Sequence, residues 1–596
     1  MKKPAGEKIA KGPSLEAVRH SISHVVALAT LERFPKAKLG IGPTIENGFY
    51  YDFGIKEIFE DDLKAIEGRA RELLKQGLRF KKEVVTPAEA KKIFKDQPFK
   101  LELVDELKKQ KKPLSVYKTY DKSPKDPLFI DLCSGPHVKS TSEIDPEAFK
   151  LTSIAGAYWK GDEKNPMLQR IYGLAFDSKK ELDDYLIMQA EAEKRDHRKL
   201  GAELELFMIS DEVGQGLPLF LPKGARLKHE IMNFALNTYL KNGYELVNTP
   251  HIGSEKLWDR SGHTGFYKES MYSPFGIEGE NYLLKPMNCP LHIQLYKSKP
   301  RSYRDLPIRW TEMGTVYRYE RSGTLHGLTR VRGFTQDDAH IFCTPEQIED
   351  EVKKALKLTM YILGAFGFKD LETNLSIRDP KKKGDFIGAD KDWAMAEKAL
   401  KAALEEMGFN DFSYDVGGAA FYGPKIDIKV SDAIGRKWQL STIQFDFNEP
   451  SRFDMTYVDQ QGKEQRPLMV HRALLGSLER FMGVYIEHVA GAFPVWIAPV
   501  QAVVIPVSEK FNGYAEEVKA KLEAEDIRLE LYSSAETLGR RIRTAEMQKV
   551  PYILIVGDAE MKSQSVSVRK RGEGDLGPKP LDAFIADLKQ EIKDRK

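Results

Sequence analysis

The stretch that most limits what this chain can become runs from Leu306 to His340. Leu306-Pro-Ile-Arg-Trp-Thr-Glu-Met-Gly-Thr-Val-Tyr-Arg-Tyr-Glu320 reads as a strand with Arg318 two residues before Glu320. A loop holding Ser322, Gly323, His326 and Gly327 follows, and the chain returns as Arg330-Val-Arg332-Gly333-Phe334. Two extended runs around a glycine-punctuated loop predict an antiparallel hairpin with cations on its inner face. Such a surface suits a polyphosphate. Guanidinium groups take phosphate bidentately, a carboxylate takes an amine, and an aromatic ring offers a stacking plane. Taken alone, the segment also fits a solvated, charge-rich hairpin.

A chain of 596 residues has room for three or four domains, each with its own core. Its net charge is only +3, so any nucleic-acid contact must come from local patches. Three cysteines, Cys133, Cys289 and Cys343, make no disulfide scaffold and suit a reducing cytoplasm. No apolar run reaches spanning length and no signal peptide opens the chain, so a cytoplasmic protein without membrane association is expected.

Residues 1–13 read as a flexible N-terminus. In 14–177, Ser14 is placed to cap a helix carrying His20 and His24, whose spacing puts both imidazoles on one face. A hairpin is expected between Gly40 and Asp52, then a charged helix over 60–76, then a strand ending in Asp131-Leu-Cys133-Ser-Gly-Pro-His137. His20, His24, Cys133 and His137 could be four zinc ligands, a metal-free hydrolytic pocket, or two unrelated buried pairs. Residues 157–161 and 169–173 are expected as aromatic strands, and 178–200 as one charged linker helix.

Residues 201–493 mix helices with strands over 244–250, 282–289, 426–430 and 438–447, and end in a long helix from Arg472 to Phe481. The expected class is α+β, not a doubly wound sheet. From 494 to 596 strands and helices alternate, as in a compact α/β domain, with a basic helix over 539–549.

Pro250, the Arg318-Tyr-Glu320 hairpin and Gly476-Ser-Leu-Glu-Arg480, in this order, resemble the three signature motifs of class II aminoacyl-tRNA synthetases. Lys285-Pro-Met-Asn-Cys289-Pro, Arg332-Gly-Phe-Thr-Gln-Asp-Asp-Ala-His340 and Met469-Val-His471-Arg-Ala are closely similar to the threonyl-tRNA synthetase family. The likeness runs from about residue 14 nearly to the end. Most bacterial members begin with a small ubiquitin-like domain, for which this chain leaves no room. The resemblance implies an α+β editing domain over 14–177, a class II antiparallel-sheet catalytic domain over 201–493 and an anticodon-binding α/β domain over 494–596.

It also implies ligation of L-threonine to tRNA(Thr) through a threonyl-adenylate, with ATP and Mg²⁺. Cys289, His340 and His471 would hold one Zn²⁺ per subunit, leaving it a position for substrate. Spacing would instead pair Cys289 with His292, or leave all three in the core. Valine is nearly isosteric with threonine, and an apolar pocket separates such pairs only about 100-fold. A metal that requires the hydroxyl answers that problem. Serine keeps the hydroxyl and lacks a methyl worth about 1–3 kcal/mol, so a second, hydrolytic site is expected. The resemblance turns His20, His24, Cys133 and His137, joined by Lys100 and Asp131, towards a metal-free editing pocket in which Cys133 helps to exclude the extra methyl.

By the same resemblance Arg318 bridges α-phosphate and carboxylate, Glu320 accepts from the adenine amine, and Phe334 stacks on the base. Arg330 and Arg480 hold the triphosphate tail, Gln439 and Thr442 complete the ATP site, and the bare backbone at Gly476 lets nucleotide approach. Met287, Gln336, Asp338, Tyr422 and Gln444 line the threonine pocket, with Asp338 facing the ammonium and Lys425 close by. His263 either assists transfer to the terminal ribose or is a buried structural histidine. Arg540, Arg541 and Arg543 form a basic helical face, and Glu560 and Arg569 read anticodon bases. Ala535 stands where the family can carry a polar contact residue. Pro250 implies a homodimer. A prolyl or seryl class II enzyme, a non-catalytic paralogue and a free-standing editing hydrolase are the rival readings.

Overall fold

The computed structural model describes residues 13–121, 125–533 and 535–595. The expected flexible stretch therefore lies, except for Pro13, outside the described residues. The chain forms two compact units, residues 1–190 and 191–596. No helix among the described residues is long and apolar enough to cross a membrane.

In the first unit Ser14 caps the helix Leu15–Arg33, its hydroxyl accepting from Ala17 N–H at 3.3 Å. This helix packs on a second, Glu60–Lys75, and on a sheet built from Gly48–Gly54, Met167–Ala175 and Phe149–Tyr158. A smaller antiparallel sheet runs Arg79–Val84, Ser115–Tyr120, Phe129–Leu132. The aromatic strand expected over 157–161 stops at Tyr158, because Trp159 turns into the interior and Trp159–Gly161 forms a short 3₁₀ turn. The charged linker is two helices, Lys179–Arg195 and His197–Glu203, not one. Asp196 breaks them by capping the second, its carboxylate accepting from Arg198 N–H at 2.8 Å.

The second unit is built on an eight-stranded sheet in the order Glu245–Leu246, Ile308–Tyr317, Gly333–Cys343, Leu468–Ser477, Lys437–Asp446, Lys425–Ser431, Leu371–Ile377, Ser413–Val416. Only the two outermost pairings are parallel. The expected hairpin is present, with Trp310 opposite His340, Glu312 opposite Asp338 and Gly314 opposite Gln336. Its second strand also pairs with Leu468–Ser477, setting His340 against His471. Helices Pro222–Lys241, Ile348–Ala365 and Leu478–His488 contribute to the main core against this sheet.

Three sequence expectations are corrected here. The strand over 244–250 shrinks to Glu245–Leu246, since the Thr249 N–H is taken by the Glu312 carboxylate at 2.9 Å, off any ladder. The strand over 282–289 is Glu280–Leu284, and Cys289 opens the helix Cys289–Tyr296 with Pro290 in its first turn. The helix placed from Arg472 is a strand as far as Ser477, and the helix begins at Leu478. A continuous apolar run buried on both faces reads alike for either structure. Gly476 has φ 72°, and a Cβ there would meet the Leu440 carbonyl oxygen at 2.4 Å. Its bare backbone is therefore required by the neighbouring strand, whatever nucleotide does.

The C-terminal sheet runs Leu529–Leu531, Ala502–Pro506, Tyr552–Val556, Ser565–Lys570, Gly574–Pro580. The basic helix is Leu538–Met547, but Arg541 does not share its exposed face. It is buried and donates to the Pro506 carbonyl at 2.7 Å, leaving Arg540 and Arg543 outside.

The pairing of Gly333–Cys343 with Leu468–Ser477 shifts register between Gln336 and Asp338. The buried Asp337 carboxylate fills the break, accepting from the N–H groups of Leu474 (3.0 Å), Leu475 (3.0 Å) and Gly476 (2.8 Å) and from the Tyr239 hydroxyl. Asp337→Ala would strand three buried donors at about 1–3 kcal/mol each. The expected outcome is a loss of at least about 3 kcal/mol, read by calorimetry as an earlier unfolding transition, with a smaller loss for Asp337→Asn.

Candidate functional site

A cleft of about 750 Å³ opens on the eight-stranded sheet. From the hairpin come Arg318, Glu320, Arg330, Phe334, Gln336, Asp338 and His340. The strand Lys437–Asp446 supplies Gln439, Thr442 and Gln444, and the next strand and helix supply His471 and Arg480. Met287, Cys289, Tyr422 and Lys425 close the sides.

One end of the cleft is cationic. The Arg318 guanidinium lies 5.1 Å from the Phe334 ring centroid and 5.7 Å from that of Tyr267, and its Nε donates to the Pro286 carbonyl at 3.3 Å. Glu320 and Arg330 are paired with each other at 2.9 Å. Arg480 has no ion-pair partner among the described residues, and its buried Nε has no acceptor. Burial, with Arg330 nearby, holds its guanidinium below the ordinary value. A cation in that state is built to meet an anion from outside.

Deeper in, Gln439 and Thr442 both donate to Asp427, at 2.6 and 2.8 Å, and Lys425 pairs with the same carboxylate at 2.7 Å. The Tyr422 hydroxyl donates to Gln444 Oε1 at 3.3 Å, while the Gln444 amide nitrogen is buried without a partner. Asn288 donates to Asp338 at 2.9 Å. It can approach because a Cβ on Gly314 would stand 2.5 Å from its amide nitrogen.

Cys289, His340 and His471 are brought together, each buried and each with a ligand atom within 4.8 Å of the others. His471 Nε2 lies 2.9 Å from Asp446, so it carries the proton and leaves Nδ1 a lone pair. His340 Nδ1 meets His292 Nδ1 at 2.7 Å, and His292 Nε2 lies 3.3 Å from Glu312. If His292 presents its proton to Glu312, His340 donates from Nδ1 and its Nε2 is also bare. These two bare nitrogens, His340 Nε2 and His471 Nδ1, face each other at 3.0 Å. Burial keeps His340 neutral by pushing its pKa well down. Opposed lone pairs beside a thiol call for a cation between them. A Cys/His/His donor set, with Asp446 behind His471 and His292 behind His340, fits Zn²⁺. His292 serves as backing for His340, not as the ligand that spacing suggests.

His263 is fully buried, with Nδ1 2.7 Å from the Ser261 hydroxyl and Nε2 3.1 Å from Met287 Sδ. It borders the cleft through Met287 and does not line it. Burial first, then His471, Arg318 and Arg452, lower its pKa to about 3.

The first unit gathers its own cluster. Cys133 Sγ lies 3.3 Å from both His20 Nε2 and His137 Nε2, and Gly135 N–H points at the sulfur from 3.2 Å. His24 and His137 ring centroids are 4.3 Å apart, and His24 lies 3.5 Å from Asp131. Asp131 also pairs with the buried Lys100 and accepts from the Tyr51 hydroxyl at 2.6 Å. Burial lowers all three imidazole pKa values and pushes the Cys133 thiol up to about 12. Sequence reading missed Tyr51, and Ser21, whose hydroxyl lies 3.0 Å from His137 Nδ1. In the cleft it missed Asn288, Asp427 and Asp446. Asn288 stood in a quoted motif beside Cys289; the others gave no local signal.

The two anticodon candidates are not brought together. Glu560 is spent capping its own helix, accepting from Gly557 N–H at 2.9 Å. Arg569 stands opposite Ile553, at the other end of the Tyr552–Val556 strand, 3.8 Å from Glu546.

Comparison with known proteins agrees along the chain. Residues 274–489 match the tRNA synthetase class II core domain (G, H, P, S and T), and residues 501–591 match the anticodon binding domain. Residues 114–172 match the threonyl and alanyl tRNA synthetase second additional domain. The threonine–tRNA ligase of a Sulfurihydrogenibium species is 50% identical over 98% of this chain and 89% of its own length. That of Borreliella afzelii is 49% identical over 97% of both. A crystal structure titled as the RNA binding domain of threonyl-tRNA synthetase from Cryptosporidium parvum is 42% identical. It covers 66% of this chain and 98% of its own, with a TM-score of 0.63. The chain is a class II synthetase and belongs to the threonine–tRNA ligase family.

Proposed function

We propose that the chain selects L-threonine at one Zn²⁺ in the cleft, activates it with ATP and Mg²⁺, loads tRNA(Thr), and hydrolyses Ser-tRNA(Thr) in its first unit. The observation that carries this is the buried trio Cys289, His340 and His471, whose ligand atoms lie within 4.8 Å of one another, with the two imidazole nitrogens 3.0 Å apart. Bound by Cys289, His340 and His471, Zn²⁺ would supply a Lewis acid that takes an amino nitrogen and a hydroxyl oxygen together, donors that valine cannot both offer.

The side chains around that position have matching work. Asp338, oriented by Asn288, faces the ammonium, and the partnerless Gln444 amide donates to the substrate's oxygens. Arg318 bridges the carboxylate and the α-phosphate, and Phe334 offers the base a plane. Glu320 has lone pairs left for the adenine amine while it restrains Arg330, and Arg480 meets the triphosphate.

In the first unit Lys100, His20, His24 and His137 position water on the seryl ester, with Asp131 and Tyr51 holding Lys100 in place. Cys133, held protonated, is a poor nucleophile and acts as a wall against threonine's methyl. A homodimer is supported by the outer strand, where Leu246 is 53% exposed close to exposed Pro250. Arg540, Arg543 and Arg569 position the anticodon loop through phosphate, with Glu560 at a separate contact.

ATP–pyrophosphate exchange should proceed with threonine and serine but not with valine, and a strong zinc chelator should abolish it. Exchange with valine, or full activity after chelation, refutes zinc-based selection. Arg480→Ala should slow exchange about 100–1000-fold.

His20→Ala should lose hydrolysis of Ser-tRNA(Thr) while exchange persists and zinc stays at one per chain, and Cys133→Ala should begin to hydrolyse Thr-tRNA(Thr); intact hydrolysis of Ser-tRNA(Thr) in His20→Ala would refute the pocket. Burial depresses the pKa values of His20, His24 and His137, so all three take up protons at lower pH than free imidazole, whose pKa is about 6.5. Hydrolysis should thus show no protonation step near that pH. The unfolded chain does bind those protons, so stability of the first unit should fall as pH drops below about 6.5, measured by thermal melts.

A further inference from the structure

Glu449 stands at the inner end of the cleft beside Cys289 and has no part in the proposed function. It is 1% exposed, follows Asn448 at the start of the short helix Glu449–Arg452, and neither carboxylate oxygen has a hydrogen-bond partner. Burial first and then the neighbouring Asp446 push its pKa well up, the Cys289 thiol and the Arg452 guanidinium act the other way, and it forms no ion pair among the described residues. Burying an unpaired carboxylate costs several kcal/mol, so such a group is retained where a cation neutralises it.

The cation position is close. Ligand atoms of His263, Cys289 and Glu449 lie within 4.8 Å of one another, and so do those of Asp446, Glu449 and His471. Glu449 therefore stands beside two of the three side chains assigned to zinc. Asp446 is not free to play the same part. One of its oxygens holds His471 Nε2 and the other accepts the Asn448 and Glu449 N–H groups.

We propose that Glu449 is a further ligand of the metal centre, binding the ion alongside Cys289 when no amino acid is present. The inference rests on the zinc reading above. A Cys289 thiolate and a Glu449 carboxylate together would balance the two charges of Zn²⁺. The resting site is then closed, and threonine binds by taking the carboxylate's place.

The test uses the full chain as wild type, Glu449→Gln and Glu449→Leu. Zinc affinity is read by competition with a chromogenic chelator, and the coordination shell by the visible bands of the cobalt-substituted protein with and without threonine. Both variants should bind zinc about 10–100-fold more weakly. Their cobalt bands should differ from wild type without threonine and converge on it when threonine is saturating. Unchanged zinc affinity and unchanged bands in Glu449→Gln overturn the inference. So does a Glu449→Leu protein that melts higher with zinc affinity intact, which marks the acid as a mere buried misfit. A wild-type chain that binds no zinc fails differently: it removes the zinc reading itself.

Discussion

Everything in the cleft depends on one buried carboxylate repairing a break between two strands. Where the ladder between Gly333–Cys343 and Leu468–Ser477 slips, Asp337 takes three backbone N–H groups that would otherwise be orphaned. The strand on one side carries Gln336, Asp338 and His340. The strand on the other carries His471 and runs into the helix bearing Arg480. Arg472 lies over the rings of Tyr239 and Tyr244, 3.9 and 4.2 Å from their centroids, and closes the same network from behind. That tie sets His340, His471 and Arg480 in a common frame.

The electrostatics of the cleft divide it into two environments. At the hairpin end an unpaired guanidinium and an arginine over an aromatic ring await an anion. At the inner end burial keeps His340 neutral, His471 Nε2 faces Asp446 and His292 Nε2 faces Glu312. The result is lone pairs turned inward. One end offers cations to an anion and the other offers buried nitrogen and sulfur donors.

The first unit uses the same materials for a different end. Its imidazoles are also buried and neutral, but they surround a thiol that burial keeps protonated, next to a Lys100–Asp131 pair. That pair is the buried charge of the pocket, and Tyr51 satisfies one more lone pair on its carboxylate. Here the imidazoles face one another and an ordinary side-chain cation.

The sequence alone determined the features that local chemistry controls: the Ser14 cap, the hairpin around Gly323 and Gly327, the α+β class, and, through resemblance, the family. Residues that act through neighbours far along the chain were beyond it. Cys289, His340 and His471 lie on three separate elements, so no spacing rule relates them, and only the family likeness pointed to them. Tyr51, Asp427 and Asp446 look like ordinary strand residues until folding sets them against Asp131, Thr442 and His471. Leu468–Ser477 was misread because a strand buried on both faces loses the alternation that marks a strand. Tertiary structure decided which polar groups have partners. That cannot be read locally, because a buried carboxylate such as Glu449 differs from an exposed one only in what the rest of the chain puts beside it.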